Sequence, residues 1–206
     1  VRFISNRSSG KMGYALAEEA SSRGASVHLI SGPSALESPP GVKVTRVRSA
    51  EEMARQSYSS FPSADIVIKA AAVADYTPVS VATEKTKKKK ARWVLELQPT
   101  EDILHELGKR KEDQLLVGFA AESENLVENA KDKLRRKNLD LIVANDISQS
   151  ESGFEVDHNQ VVLIDRNGQA EESPLLPKNQ VAKRILDKIE ELLSEAVAIS
   201  DVSNES

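Results

Sequence analysis

Short apolar segments alternate along the chain with longer segments in which the apolar residues have a helical spacing. The short segments predict β-strands, and several are almost continuously apolar, as expected for strands that are covered on both faces of a sheet. The predicted strands are Ala25–Ser31, Val42–Val47, Asp65–Ala72, Arg92–Leu97, Leu115–Ala121 and Leu139–Ala144.

Helices are predicted between these strands. Gly24 is a good end for the first of them, and Ser49 and Glu52 have the spacing of a capping box at the start of the second. The predicted helices are Lys11–Gly24, Ser49–Ser60, Thr100–Arg110 and Glu124–Lys137. This alternation predicts an α/β fold, a Rossmann-like three-layer sandwich with a mostly parallel sheet.

The C-terminal part has a different pattern. Gln160–Leu175 predicts a β-hairpin with Asn167 and Gly168 at its turn, and an amphipathic helix is predicted to follow over Asn179–Ile199. The sequence has no internal repeat and no sign of a second domain. We therefore predict one domain over residues 1–199 and a polar tail over residues 200–206.

Composition narrows the class of protein. The 206 residues are 39% hydrophobic and 29% charged, which is ordinary for a soluble globular domain. The absence of cysteine excludes disulfides, thiolate zinc sites and cysteine nucleophiles, and it favours a cytoplasmic location. The three histidines lack the spacing of a metal site, and no apolar run reaches the about 18 residues that span a bilayer. We expect no side-chain metal site and no membrane partner.

Positive charge is concentrated in one place, although the formal net charge is -4. Residues 85–90 contain five lysines, and they lead directly into a predicted strand. This run is consistent with a solvated loop, with a nucleic-acid patch, or with a flap that closes over a polyphosphate. A nucleic-acid patch favours a basic surface with interleaved aromatic residues, and only Tyr76 and Trp93 lie near.

Four further segments carry candidate chemistry. The segment "SNRSSGKMG" leads into a helix, so Ser8, Ser9 and Gly10 are candidates to bind an anion, or they start an ordinary capped helix. It is not a Walker A motif, because Ser5 and Met12 stand where that motif has Gly and Ser or Thr.

The segment "AAAVADYTP" follows a predicted strand. Small residues there allow a ligand to approach the backbone closely. Asp75 offers a carboxylate to a hydroxyl, an amine or a metal, or it is a turn aspartate exposed to water. Phe119, near the end of another strand, packs in the core or stacks on a base.

The predicted helix Glu124–Lys137 places two lysines on its apolar side. On a helical wheel, Lys133 and Lys137 project on the side of Leu126, Ala130 and Leu134. Two lysines at this spacing repel each other, so a pair that leans towards the sheet needs an anionic partner. Alternatively both lysines extend to water at the C-terminal end of the helix.

These segments, in this order, resemble the phosphopantothenate–cysteine ligase family of coenzyme A biosynthesis, in its bacterial, CTP-dependent type. That type is usually the C-terminal half of a bifunctional protein. The resemblance extends from Val1 to about Glu191 and rests on "ISNRSSGKMG", "AAVADY", "EKTKK", "VGFAAES" and "KNLDLIVANDIS". Each motif alone is weak, but the ordered set is specific.

The resemblance implies a reaction in two steps. The carboxylate of 4'-phosphopantothenate attacks the α-phosphate of CTP, which enters with Mg²⁺, to give an acyl-cytidylate and pyrophosphate. The amine of L-cysteine then displaces CMP. No nucleophilic side chain is needed, so catalysis is expected to come from positioning and from neutralising charge.

The resemblance also assigns site residues. It implies catalytic roles for Asn6, at the acyl-cytidylate, and for Lys85, in a flexible flap. Where the family often has Pro-Asp-Ile, this chain has Glu101-Asp102-Ile103, so backbone contacts are expected there. The implied nucleotide-binding residues are Ala70, Ala71, Asp75, Lys85, Glu101, Asp102, Ile103, Leu104, Phe119, Lys133 and Lys137.

The implied partners are small-molecule substrates and a second copy of the chain in a homodimer. A flavin-dependent decarboxylase is expected to be fused to the domain or assembled with it, so we expect no FMN in this chain, and no nucleic-acid partner. The family has a strand and a turn rich in glycine and threonine before "VRFISN", which this sequence lacks. We therefore expect the sequence to be truncated at its N-terminus.

Two other functions fit parts of the pattern. An NAD(P)-dependent Rossmann-type reductase suits the alternation of strands and helices, but the sequence lacks GxGxxG and a Tyr-x-x-x-Lys pair in a helix. A nucleic-acid-binding module would rest on the lysine run alone. Binding of NAD(P) would favour the first, and strongly salt-dependent binding of DNA or RNA would favour the second.

Overall fold

The computed structural model describes residues 4–81, 84, 94–122, 124–146 and 157–204. In these ranges the helices are α1 (Lys11–Ser22), α2 (Ala50–Ser60), α3 (Ile103–Arg110), α4 (Leu126–Arg136) and α5 (Lys178–Asn204), with a short 3-10 helix over Phe61–Ser63. The strands are β1 (His28–Ser31), β2 (Lys43–Arg46), β3 (Ile66–Lys69), β4 (Tyr76–Pro78), β5 (Leu97–Pro99), β6 (Leu115–Glu122), β7 (Leu141–Asp146), β8 (His158–Asn159), β9 (Val161–Asp165), β10 (Ala170–Glu172) and β11 (Leu176–Pro177).

A five-stranded sheet with the order β10-β9-β7-β6-β3 forms the centre of the fold. Strands β3, β6 and β7 are parallel, and β9 and β10 extend the sheet in antiparallel fashion. Strands β1 and β2 form a separate parallel pair, and β4–β5 and β8–β11 form small antiparallel ribbons. The predicted α/β class with a mostly parallel sheet is confirmed.

Two hydrophobic clusters cover the two faces of this sheet. One contains buried residues of α1 and α5, and the other contains buried residues of α2, α3 and α4. Alternate residues of β6 point to the two sides, so Leu115 and Val117 pack in the first cluster and Leu116 and Ala120 in the second. The continuously apolar sequence of β6 follows from this burial on both faces.

Two helices begin later in the structure than the sequence predicts. Helix α3 begins at Ile103 rather than Thr100, because the Asp102 carboxylate caps it by accepting a bond from the His105 N–H at 3.2 Å. Helix α4 begins at Leu126, after Asn125 takes up a left-handed conformation with φ of 48°. Helix α5 runs to Asn204, five residues beyond its predicted end.

Four strands differ from their predicted positions or escaped prediction. Residues 94–96, predicted as strand, are irregular, and β5 begins only at Leu97. Strand β4 lies in a segment expected to be a loop, and the two-residue strands β8 and β11 are too short to give a periodic pattern. The hairpin β9–β10 is confirmed, with Gly168 at φ of 79° in its turn.

In the described ranges, no helix is long and apolar enough to cross a membrane.

Candidate active site

The carboxyl ends of β3 and β6 meet at one edge of the sheet, because these two strands are parallel neighbours. Ligands of open α/β sheets bind beyond such an edge. Three of the predicted segments are joined to one another there by hydrogen bonds: the segment that enters α1, the loop after β3 and the turn before α3.

Asn6 joins the first two of these segments. Its Nδ2 donates a hydrogen bond to the carbonyl oxygen of Val73 at 3.1 Å, and the Asn6 side chain is exposed. The predicted catalytic asparagine therefore lies beside the loop that carries Ala70, Ala71 and Asp75. An exposed amide in this position can still offer its second N–H to a ligand.

The segment Ser8–Gly10 forms a compact start to α1. Gly10 is the N-cap with φ of 77°, and a Cβ there would lie 3.3 Å from Ser34 Oγ, so glycine suits both its conformation and its surroundings. Ser8 Oγ accepts from Gly10 N–H at 3.3 Å, and Ser9 Oγ accepts from Lys11 N–H at 3.4 Å. In this structure the two hydroxyls thus bond to N–H groups of the kind that an anion at a helix start would use.

Thr100 ties the loop of Asp75 to the turn before α3. Its N–H donates to the Asp75 carbonyl oxygen at 2.9 Å, and its hydroxyl donates to the Ala74 carbonyl oxygen at 2.5 Å. Asp75 and Asp102 are thereby held on the same edge. Sequence reasoning did not identify Thr100 as a site residue, because its partners lie about 25 residues away in sequence.

Both lysines of the predicted pair have carboxylate partners within the chain. Lys137 Nζ lies 2.6 Å from Asp102 Oδ2, and Lys133 Nζ pairs with Glu122 at the end of β6. Burial alone would raise the pKa of Asp102, but the bonds from Lys137 and from the His105 N–H outweigh it and the pKa lies below its usual value. The expected need for anionic partners is met by these two carboxylates.

Lys69 belongs to the same edge and was not predicted as a site residue. It ends β3, and its Nζ donates to the Ala71 carbonyl oxygen at 3.2 Å. Burial lowers the pKa of the Lys69 ammonium, and Lys137 lowers it further, against opposing contributions from Asp102 and Asp75. The available signal was a single charged residue within the otherwise apolar segment "IVIKAAA".

Some predicted nucleotide-binding residues turn their side chains into the core. Ile103 and Leu104 are almost fully buried, so any contact that they make with a ligand goes through the backbone. Phe119 packs against the cluster of α1 and α5, on the opposite face of the sheet from Lys133 and Lys137. The structure therefore does not bring Phe119 against the lysine pair.

Other predicted features lie at the surface or outside the described residues. Glu101 is exposed beside Asp102. Lys85 and the rest of the lysine run 85–90 lie outside the described residues. Within the described ranges, no group of three or more His, Cys, Asp or Glu side chains could hold a metal ion.

A family model described as DNA/pantothenate metabolism flavoprotein C-terminal domain matches residues 1–193. The chain is 48% identical over 190 residues to the coenzyme A biosynthesis bifunctional protein CoaBC of Bacillus subtilis, covering 92% of this chain and 47% of that protein. It is 47% identical over 191 residues to a cysteine/cysteine sulfinic acid decarboxylase of an unknown prokaryotic organism, covering 92% of this chain and 53% of that protein.

The fold is also similar to that of a solved structure. The crystal structure of the C-terminal domain of a CoaBC protein superposes with a TM-score of 0.81 at 45% sequence identity, covering 95% of this chain and 88% of that one. The chain spans about half the length of the curated relatives that it matches.

Proposed function

The chain belongs to the DNA/pantothenate metabolism flavoprotein C-terminal domain family, and from this premise we propose that it is the ligase part of a coenzyme A biosynthesis protein. The proposed reaction joins 4'-phosphopantothenate to L-cysteine through an acyl-cytidylate, using CTP and releasing pyrophosphate and CMP. The similarity over the C-terminal part of CoaBC proteins supports it.

The observation that carries this proposal is the bond between Asn6 Nδ2 and the Val73 carbonyl oxygen. It joins the start of α1, which suits an anion, to the loop of Asp75, which suits a hydroxyl or an amine. A nucleotide has both kinds of group, and a site that binds it needs both kinds of partner on one edge. No observation favours the reductase or the nucleic-acid module in the same way.

In the first step, a carboxylate oxygen of 4'-phosphopantothenate attacks the α-phosphorus of CTP, and the bond from this phosphorus to the bridging oxygen of pyrophosphate breaks. Both reactants are anions, so the site has to reduce their repulsion. We assign this task to Lys85, with the start of α1 at Ser8–Gly10. Their charge and dipole stabilise the negative charge that collects on the leaving pyrophosphate.

In the second step, the cysteine nitrogen attacks the acyl carbon, CMP leaves with the electrons of the anhydride bond, and the new amide loses a proton. We assign to Asn6 the positioning of the acyl-cytidylate. Its Nδ2 already donates to Val73, so the amide is oriented before a ligand binds. The remaining N–H can donate to a carbonyl or phosphate oxygen of the intermediate.

Mg²⁺ is proposed to enter as a complex with CTP, as part of the substrate. Within the described ranges no three ligating side chains are grouped, and we propose that the phosphates hold the ion.

We also propose that the protein is a cytoplasmic homodimer. The ribbon formed by β4 and β5 and the residues that flank it exposes apolar side chains, and contiguous apolar surface favours association. The exposed fraction is 80% for Val81, 78% for Val94 and 56% for Tyr76. Flavin chemistry is proposed to reside in the part of the relatives that this chain does not match, as a fused or associated decarboxylase.

Pyrophosphate release tests the proposed reaction. We expect release from CTP with 4'-phosphopantothenate and formation of the amide only when L-cysteine is added. Release from ATP at an equal or higher rate would reject the preference for CTP. Absence of release with either nucleotide would reject the proposed activity of this chain.

Two variants separate the half-reactions. Lys85→Gln removes the charge and should prevent formation of the acyl-cytidylate. Asn6→Asp replaces two N–H donors with a negative oxygen, so it should slow the second step more and let the acyl-cytidylate accumulate in quenched reactions with cysteine. If both variants stop at the same step, these roles of Asn6 and Lys85 are wrong.

A further inference from the structure

Lys69 points to the side of the sheet that carries the predicted lysine pair. It pairs in register with Gly118 of β6, and paired residues of neighbouring strands project from the same face. A Cβ at Gly118 would lie 2.8 Å from Leu104 Cδ2 and 2.7 Å from Leu139 Cδ1, so this face is the one covered by α3 and α4.

The alternation within β3 agrees with this direction. Ile66 and Ile68 pack against the cluster of α1 and α5, whereas Val67 packs against the cluster of α2, α3 and α4. Lys69 is two residues beyond Val67 and projects to the same face. Its ammonium is held at the carboxyl edge by the bond to the Ala71 carbonyl oxygen at 3.2 Å.

Lys69, Asp75, Asp102 and Lys137 form a mixed-charge cluster at this edge. Lys137 Nζ is 2.6 Å from Asp102 Oδ2, and Lys69 interacts electrostatically with the other three residues. Two positive and two negative charges cancel, so the cluster as a whole is neutral. The attraction of a triphosphate to the two ammonium groups would be offset by its repulsion from the two carboxylates.

The same cluster suits the uncharged part of a nucleotide. Ribose hydroxyls and an exocyclic amine donate hydrogen bonds, which carboxylates and the Ala71 carbonyl oxygen can accept. Ring nitrogens and ring carbonyl oxygens accept hydrogen bonds, which Lys69 and Lys137 can donate. Closely spaced donors and acceptors with no net charge match a nucleoside better than a chain of phosphates.

We propose that Lys69 is a nucleoside-contacting residue, and that the mixed-charge cluster binds the base and ribose of the nucleotide while the phosphates lie elsewhere in the site. This inference rests on the proposed use of CTP. It adds Lys69 to the site and assigns Lys137 to the nucleoside. The start of α1 remains for the phosphates.

A ligand series tests this assignment. Dissociation constants of CTP, CDP and CMP are measured for the wild type, for Lys69→Met and for the control Lys109→Met, which removes an exposed lysine of α3. Measurements at about 0.15 M salt screen distant charges, because the Debye length is then about 8 Å. Thermal denaturation checks that each variant is folded.

We expect Lys69→Met to weaken all three ligands by the same factor, roughly 10- to 150-fold, because the lost contact is common to them. Lys109→Met should leave all three unchanged. A loss that is large for CTP and vanishes for CMP would place Lys69 at the phosphates and overturn the inference. Unchanged binding of all three ligands would also overturn it.

A second variant of Lys69 and the result for the wild type complete the test. Lys69→Gln, which keeps N–H donors without the charge, should show a smaller but equally uniform loss, and it replaces Lys69→Met if that variant does not fold. Failure of the wild type to bind any of the three ligands would reject the proposed function itself. The ratio of the dissociation constants of variant and wild type tests only the role of Lys69.

Discussion

Two lysine–aspartate pairs with the same length lie near the two ends of α3. Lys111 Nζ is 2.6 Å from Asp140 Oδ2 just after the helix, and Lys137 Nζ is 2.6 Å from Asp102 Oδ2 at its start. The side chains of the first pair are 13% and 10% exposed, whereas those of the second are 22% and 47% exposed.

The two pairs also differ in their other partners. Asp140 accepts a further bond from the Leu116 N–H at 2.8 Å and lies 3.8 Å from Arg166, so its place is fixed from three sides within the protein. Asp102 faces the carboxyl edge beside Lys69 and the loop of Asp75. The length of an ion pair therefore does not distinguish a structural pair from one that a ligand can reach. The burial of the pair and its other hydrogen-bond partners distinguish the two.

The largest effect is expected from breaking the buried Lys111–Asp140 pair. Asp140→Ala leaves Lys111 without its carboxylate and the Leu116 N–H without its acceptor, which should lower the free energy of unfolding by about 3–5 kcal/mol. Asp132→Ala is the matched control, because the Asp132–Arg136 pair is also 2.6 Å long but is about half exposed. That variant should lose no more than about 1 kcal/mol. Urea denaturation measures both, and equal losses would contradict the distinction drawn from burial.

Removing Lys137 or Lys133, at the carboxyl edge of the sheet, should affect ligand binding rather than folding. Lys137→Ala and Lys133→Ala should each weaken CTP binding by about 1.5–3 kcal/mol, or roughly 10- to 150-fold, because each loses a charge-assisted hydrogen bond to the ligand. Calorimetric titration with CTP, together with thermal denaturation, separates the two effects. Unchanged CTP affinity in both variants would mean that these lysines serve only Asp102 and Glu122.

A single methyl group can disturb the contact that positions Lys137. A Cβ at Gly108 would lie 2.1 Å from the Lys137 carbonyl oxygen, so Gly108→Ala forces α3 and the end of α4 apart. We expect a loss of about 1–3 kcal/mol in the free energy of unfolding and weaker CTP binding. Gly13→Ala is the control, because a Cβ at this helical glycine has no neighbour within 4 Å. It should be neutral or stabilise by about 0.5–1 kcal/mol. Equal stability of the two variants would contradict the tight contact.

The smallest effect concerns acid stability. The pKa of Asp102 is lowered in the folded protein, so its charge stabilises the fold above the unfolded value of about 3.9 and this contribution is lost as the pH falls through the folded pKa. Asp102→Asn keeps a good N-cap residue and removes the charge. The difference in melting temperature between wild type and Asp102→Asn should be present at pH 7 and shrink as the pH falls below about 3.9. A difference that does not change with pH would contradict this account.

The lysine pair of α4 shows how far sequence reasoning reached into the site. The helical wheel placed Lys133 and Lys137 on the side of Ala130 and Leu134, and both of these apolar residues are buried. The wheel also indicated that the lysines need anionic partners. It could not identify Glu122 and Asp102, since those partners come from a different strand and a different helix start.

The sequence by itself determined the class of fold, because burial on both faces requires continuous apolar strands and amphipathic helices whatever the details of packing. It also determined the family, through motifs whose order along the chain is specific. Local pattern placed the strand and helix ends less well. Helix α3, for example, starts at Ile103 because Asp102 caps it and because Thr100 bonds to Asp75 and Ala74 instead of joining the helix.

Only the tertiary structure decided which charges lie together. The sequence analysis assigned no role to Lys69, and it grouped Phe119 with Lys133 and Lys137 as nucleotide-binding residues. The register of β3 and β6 turns Lys69 towards α3 and Asp102, and the alternation of β6 turns Phe119 to the opposite face. Electrostatic interactions act through space, and their strength depends on distance and burial, which residue spacing along a chain does not specify.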